Sequence, residues 1–317
     1  TFFVFCIYTL FHFIAISEPT WENMSRLYIG SLIGYPIGRV LSTREKQYVM
    51  TFFLVFSFLL LTGMFINFGK VLTSSAALKL NRVGIGEGVG ILFVYTMLSA
   101  LISSVSIVRR SLMFIVGGII QFLNLVTLTG RGSVIFSTAT VAMFYLVYNK
   151  KSNMVWKKIL LLAIFAVFMY FTLIYLSTIF PWVSRFNLRN MLSDPSVVGN
   201  HIFVGRFDLY KESLKVFSQR VFFGAGYGEV YSHNIFLETM SCFGIVGLIL
   251  FCAFLASFFA EAIKSDMVRK RDVLCNIAFA IFVFLLLYRQ TSFSWANHKA
   301  LMFFAGAVVS EISRSNS

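Results

Sequence analysis

Apolar stretches of bilayer-crossing length alternate with short polar, basic segments from one end of the chain to the other. Stretches of this kind fall at 1–17, 27–42, 48–69, 88–108, 111–128, 132–148, 157–180, 234–262, 273–290 and 299–312. A helix of roughly 17–25 apolar residues spans the hydrocarbon core. The pattern predicts an all-α, polytopic membrane protein of about ten or more spans, with residues 27–42 the least regular of them. The first stretch, from Thr1 to Ile16, has neither a charged leading region nor a small-residue cleavage site, so it predicts a span rather than a signal peptide. It opens on Thr1 within an apolar run, and further sequence is expected before it. The whole chain, 1–317, reads as one integral membrane domain.

The longest polar interval, 181–232, contains a second kind of periodicity. Phe207, Tyr210, Leu214, Phe217 and Val221 recur at steps of three and four, with Lys211, Glu212 and Lys215 on or near the opposite side. This predicts an amphipathic helix over 206–221, lying in the membrane interface.

Composition agrees with the pattern. Hydrophobic residues make up 58% and charged residues 13% of the 317 positions, against roughly half and a quarter in soluble domains. Lys and Arg outnumber Asp and Glu by 27 to 13. In a membrane chain that excess points to lipid headgroups, cytoplasmic loops or an anionic lipid-linked substrate rather than to nucleic acid. The basic residues of the short loops alternate in side: Arg44 and Lys46, Arg109 and Arg110, Lys150 with Lys151, and Lys264 to Arg271 all fall on one side, which is therefore cytoplasmic. The 181–232 loop then faces outward. It carries Arg185, Arg189, Arg206, Lys211, Lys215 and Arg220, and outer ends elsewhere hold Lys70, Lys79, Arg82, Arg131 and Arg289. So basic a translocated face suggests an anionic ligand there. The cysteines, at 6, 242, 252 and 275, lie in apolar segments without metal-ligand spacing and read as small buried hydrophobes.

Candidate chemistry concentrates in 220–247. Gly224, Gly226 and Gly228 permit a tight backbone turn. His233 and Asn234 then open an apolar helix, with Ser232 as the expected N-cap. A histidine in a first helical turn meets the positive end of the dipole, which disfavours imidazolium and suits a neutral general base. Glu238, one turn further, is an ionisable residue inside an apolar span and so a candidate by default. Gly244 and Gly247 are expected to serve close helix packing. A second stretch, from Thr127 to Ser133, puts Arg131 at the outer end of two spans. There its fork-shaped guanidinium could grip a pyrophosphate, or else snorkel to lipid phosphate. Arg206 raises the same question at the head of the loop helix, and Arg82 and Arg185 more weakly. No acidic metal cluster stands on the outer side, so neither a metal nor another cofactor is expected.

These residues resemble the O-antigen polymerase and O-antigen ligase superfamily. Its pattern is His, then Asn, Ser or Gln, nine residues, and Gly-x-x-Gly; His233-Asn234, nine residues and Gly244-Ile245-Val246-Gly247 are similar to it without gaps. The Arg206-led helix with Gly224 and Gly226, and more loosely Gly130-Arg131-Gly132-Ser133, fit the same family, where Ser often stands at the position of Gly130. The resemblance covers roughly 125–262, and the family's usual count, about two spans larger, implies two spans before Thr1. It implies transfer of a glycan from undecaprenyl pyrophosphate at the periplasmic face of the bacterial inner membrane, with inversion at the anomeric carbon. His233, Asn234 and Glu238 would be catalytic, and Arg131, Arg206, Arg82 and Arg185 would hold the pyrophosphate. Gly224 and Gly226 would form the turn beside them. The partners implied are the lipid-linked glycan, membrane lipids and a separate chain-length regulator. Polymerase is the expected activity, because the outer loop is modest and its cations few for a phosphate-rich lipid A core; ligase is the alternative, and a protein O-glycosyltransferase a third within the family. A flippase of lipid-linked sugars would explain the spans equally, but it predicts charges deep in several helices and a pseudo-repeat between halves, and neither is visible.

Overall fold

The computed structural model describes residues 1–16, 21–41, 82–102, 106–126, 131–148, 203–264, 273–290 and 299–315, with isolated helical positions between 45 and 62. Among the described residues every regular element is helical. The expected spans at 48–69, for the most part, and 157–180 lie outside them, as do residues 181–202 of the long loop and with them Arg185. The chain divides into two compact units, residues 1–47 with 203–317, and residues 48–202.

The second unit is built on α4 (Arg82–Ile102), α5 (Ile107–Val126) and α6 (Arg131–Tyr148). Its interior holds hydrogen-bonded polar side chains among apolar ones such as Val94, Leu98 and Phe144. Gln121 Nε2 donates to Val134 O at 3.0 Å and to Thr138 Oγ1 at 2.6 Å. Asn124 Nδ2 donates to Ser133 Oγ at 3.1 Å, and Ser133 Oγ donates to the carbonyl of Gly86. Gln121, Asn124, Ser133 and Ser137 are buried, whereas Ile115, Ile119 and Phe122 of the same α5 point outward and are about half exposed. Apolar side chains outside and hydrogen-bonded ones inside is the arrangement that lipid favours. The Ser133–Gly86 bond also sets the starts of α4 and α6 side by side, which puts the backbones of Arg82 and Arg131 at the same end of this unit.

The first unit contains α1 (Phe2–Ala15), α2 (Trp21–Leu27), α3 (Gly34–Val40), α7 (Phe203–Gln219), α8 (Ile235–Lys264), α9 (Val273–Tyr288) and α10 (Lys299–Ser315). The irregular stretch 27–42 is not one helix: a π-helical turn, Tyr28–Leu32, separates α2 from α3. The short α3 is nonetheless tightly held, parallel to α10. A Cβ on Gly34 would stand 2.9 Å from Phe303 N, one on Gly38 2.9 Å from Ala307 N, and one on Gly306 3.0 Å from Arg39 N. Small residues four apart let two membrane helices touch backbone to backbone. α1 runs antiparallel to α8, with Phe2 against Phe254, Phe5 against Phe251 and Phe243, and Tyr8 donating to Phe243 O at 2.6 Å.

Among the described residues, two helices, over Ile107–Asn124 and Ile235–Ala262, are long and apolar enough to cross a membrane on their own. α7 overlaps the range expected for the loop helix, starting three residues earlier and ending two earlier. It packs on α8 with Ser213 buried, and turns Phe207 (59% exposed) and Leu214 outward. Of the cysteines, Cys242 and Cys275 are buried as expected, but Cys6 is half-buried and Cys252 exposed on α8. A thiol tolerates an apolar surroundings on either side of a membrane helix.

Candidate functional site

The central device is a break in α8. Gly244 adopts φ 68°, ψ −170°, dividing the helix into 235–243 and 245–264. A break frees carbonyls on one side and amides on the other, each costly in an apolar environment. The turn that precedes α8 satisfies them. Ala225 N donates to Ser241 O at 2.9 Å and Gly226 N to Cys242 O at 3.1 Å, while Ile245 N donates to Val221 O at 2.8 Å. Gly224, at φ 71°, touches the break itself: a Cβ on it would lie 2.6 Å from Gly244 N. The two glycine motifs are thus halves of one joint. Gly244 is a backbone break rather than the packing glycine expected, because a left-handed residue needs to lack a Cβ. Gly247 does serve packing, its Cα hydrogen side facing Phe243 and Tyr8. His12 of α1, fully buried, bonds through Nε2 to the carbonyl of Phe223 and braces the turn from the other side.

Beyond the turn the chain reaches His233, Asn234 and Glu238. The N-cap of α8 is Asn234, not Ser232: its Oδ1 accepts from Phe236 N at 3.0 Å and Leu237 N at 3.1 Å. Ser232 instead supports Asn234, whose amide donates to Ser232 Oγ at 3.3 Å. Asn234 also ties α8 to the end of α9, donating from Nδ2 to Gln290 O and Gln290 Oε1, both at 3.2 Å. The amide of Ile235 adds a bond to Arg289 O at 3.1 Å. His233 therefore stands before the helix and not in its first turn. It takes φ 60°, a left-handed conformation uncommon for a side-chain-bearing residue and frequent at functional positions. Its ring is half-buried and packs on that of Tyr231, with centroids 4.1 Å apart.

Glu238 is 4% exposed and lines a cavity of about 330 Å³. The cavity wall also includes Asn23 and Arg26 of α2 and Tyr227, Glu229 and Tyr231 of the turn. Burial first, and then the carboxyl of Glu238, push the Tyr227 phenol well above its ordinary value, with Arg26 acting weakly the other way. Tyr227 is accordingly a neutral hydroxyl at any physiological pH. Asn23, Arg26 and the buried Arg289 had no motif to mark them; they reach this place only because α2 and α9 end beside α8.

The arginines divide between the units. Arg206 lies in the first turn of α7, in the unit of His233; Arg82 and Arg131 begin α4 and α6 in the other unit; Arg185 is outside the described residues.

Comparison with known families shows what this stretch is similar to. Residues 116–252 match the O-antigen ligase family model. That match encloses Arg131, Arg206, both glycine motifs, His233, Asn234 and Glu238, and agrees with the resemblance to the O-antigen polymerase and ligase superfamily. It leaves out Asn23, Arg26 and Arg289. Over that stretch the chain is similar to O-antigen polymerases and ligases, which are glycosyltransferase-like membrane proteins acting on lipid-linked glycans. No curated protein matches the chain.

Proposed function

We propose that this protein is an O-antigen polymerase, which transfers a lipid-linked oligosaccharide from undecaprenyl pyrophosphate to the sugar of a second lipid-linked repeat, at the periplasmic face of the inner membrane. The observation that supports it best is the setting of His233. It is held out of the helix by a left-handed backbone, beside a capping Asn234 that is itself tied to Gln290. A base so fixed can meet an incoming hydroxyl without reorganising.

In this reading His233 accepts the proton of the acceptor hydroxyl. The acceptor oxygen bonds to the anomeric carbon from the face opposite the leaving group. The anomeric carbon–oxygen bond breaks, and its electron pair departs with undecaprenyl pyrophosphate, so the configuration inverts. Arg131 and Arg206, with Arg82 and Arg185, would neutralise that developing charge; fixed guanidinium groups in an apolar setting are worth several kcal/mol to such a leaving group. A separate chain-length regulator would end the process.

A ligase that passes the glycan to lipid A core is the second reading, favoured by the description of the matched family. A surface-glycan gel separates the two. In a deletion strain, lipid A core bearing a single repeat, restored to a ladder by the wild-type gene alone, establishes the polymerase. Bare core with accumulated lipid-linked polymer establishes the ligase. An unchanged ladder refutes both.

A further inference from the structure

We infer that the cavity between α2 and the turn 227–231 binds the acceptor glycan, and that it selects a neutral or amino-bearing pyranose over a uronic acid. The inference rests on the transferase reading above, but not on the choice between polymerase and ligase, since both acceptors present a sugar hydroxyl.

Three features carry it. The volume, about 330 Å³, lies at the small end of the roughly 300–1,000 Å³ typical of small-molecule sites. It suits a terminal sugar rather than a whole repeat. The wall then combines what a polyhydroxylated ring needs: carboxyl acceptors in Glu229 and Glu238, an amide in Asn23, a guanidinium in Arg26 and a neutral phenol in Tyr227. Tyr231 supplies a ring for the C–H face of a pyranose, and the same ring packs on His233 at 4.1 Å. Tyr231 thus lines the cavity and touches His233, so a sugar held on Tyr231 lies within one ring of the proposed base.

The charges exclude the other half of the substrate. Two carboxyl groups face one guanidinium, and Arg26 already pairs with Glu22 of its own helix. A pyrophosphate would meet net repulsion here, as would a uronate. The sugar end of a glycan meets none, and an ammonium group on the sugar would be welcomed.

Purified protein in detergent micelles tests this by saturation-transfer NMR with three probes: a methyl hexopyranoside, a methyl aminohexopyranoside and a methyl hexopyranosiduronate. The first two are expected to receive saturation and the third, together with inorganic pyrophosphate at this site, to bind about tenfold more weakly. Asn23→Ala, in the partly exposed α2, and Glu238→Gln should each weaken the first two probes by about tenfold, the loss expected for one strong hydrogen bond. His233→Asn should keep binding. Equal binding of the uronide, or unchanged binding in both Asn23→Ala and Glu238→Gln, overturns the proposal. A glycan ladder that persists in His233→Asn would sink the transferase mechanism instead, and leaves the binding result to be read on its own.

Discussion

Gly224 and Gly244 face each other so closely that a Cβ on either would stand 2.6 Å from the other's amide nitrogen. Both are left-handed, at φ 71° and 68°. Strain and collision therefore add at each position. Gly224→Ala and Gly244→Ala are each expected to cost more than about 3 kcal/mol, beyond the ~1–2 kcal/mol of left-handed backbone strain alone. Gly228→Ala, at φ 87° but with its nearest neighbour, Asn23 Oδ1, 3.9 Å away, should cost only that strain. Gly118→Ala, with nothing within 4 Å, should be neutral. Thermal melting in detergent orders the four variants, and a Gly228→Ala protein as damaged as Gly224→Ala would contradict the joint.

His233 needs a replacement that tolerates its backbone. Asn enters the left-handed region more readily than most residues, so His233→Asn removes the imidazole while keeping the fold. Glycan transfer should fall by roughly 10²–10⁴-fold, the usual worth of a general base, with the melting temperature within a degree or two of wild type. Transfer at wild-type rate by a well-folded His233→Asn protein would end the role assigned to the imidazole.

Asn234 does two jobs that substitution can separate. Asn234→Ser keeps a capping oxygen and loses the tie to Gln290; Asn234→Ala loses both. The alanine variant should be less stable than the serine by about 1 kcal/mol, the value of a helix cap. A double-mutant cycle with Gln290→Ala should return a coupling of about 0.5–1.5 kcal/mol for Asn234. Strict additivity would mean that the bond to Gln290 Oε1 contributes nothing, since the bond to the Gln290 carbonyl survives Gln290→Ala.

Ser133→Ala breaks the bond to Gly86 and strips Asn124 of a partner. Hydrogen bonds between membrane helices average about 0.6 kcal/mol and reach about 1.7, so the loss should sit near the upper value. If Arg82 and Arg131 act together on the pyrophosphate, the same variant lowers glycan transfer more than its stability loss explains. Activity measured well below the melting temperature distinguishes these effects.

The sequence made the long, uniformly apolar elements plain, because length and hydropathy suffice to mark them: the span expected at 234–262 is the helix Ile235–Lys264. It was also sufficient for α7, whose three-and-four spacing is local. The interruption at Tyr28–Leu32 was less visible, since a π-turn keeps the same apolar residues and changes only their register. Gly244 was misread because a glycine that packs and one that breaks a helix look alike until the partner backbone is known. The cap passed from Ser232 to Asn234 for a similar reason, as both residue types cap and only the φ of His233 decides between them. Asn23, Arg26 and Arg289 were illegible as site residues: each lies more than a hundred residues, or a whole helix, from the motif it joins.

The joint at Gly244 also constrains how the protein can be made. An unpaired carbonyl or amide costs several kcal/mol in hydrocarbon, and 221–226 is the segment that pairs those freed at 241–246. The broken half of α8 therefore cannot settle in the bilayer ahead of its turn. The turn and the broken helix are expected to become stable in the bilayer together, each supplying the partners that the other lacks.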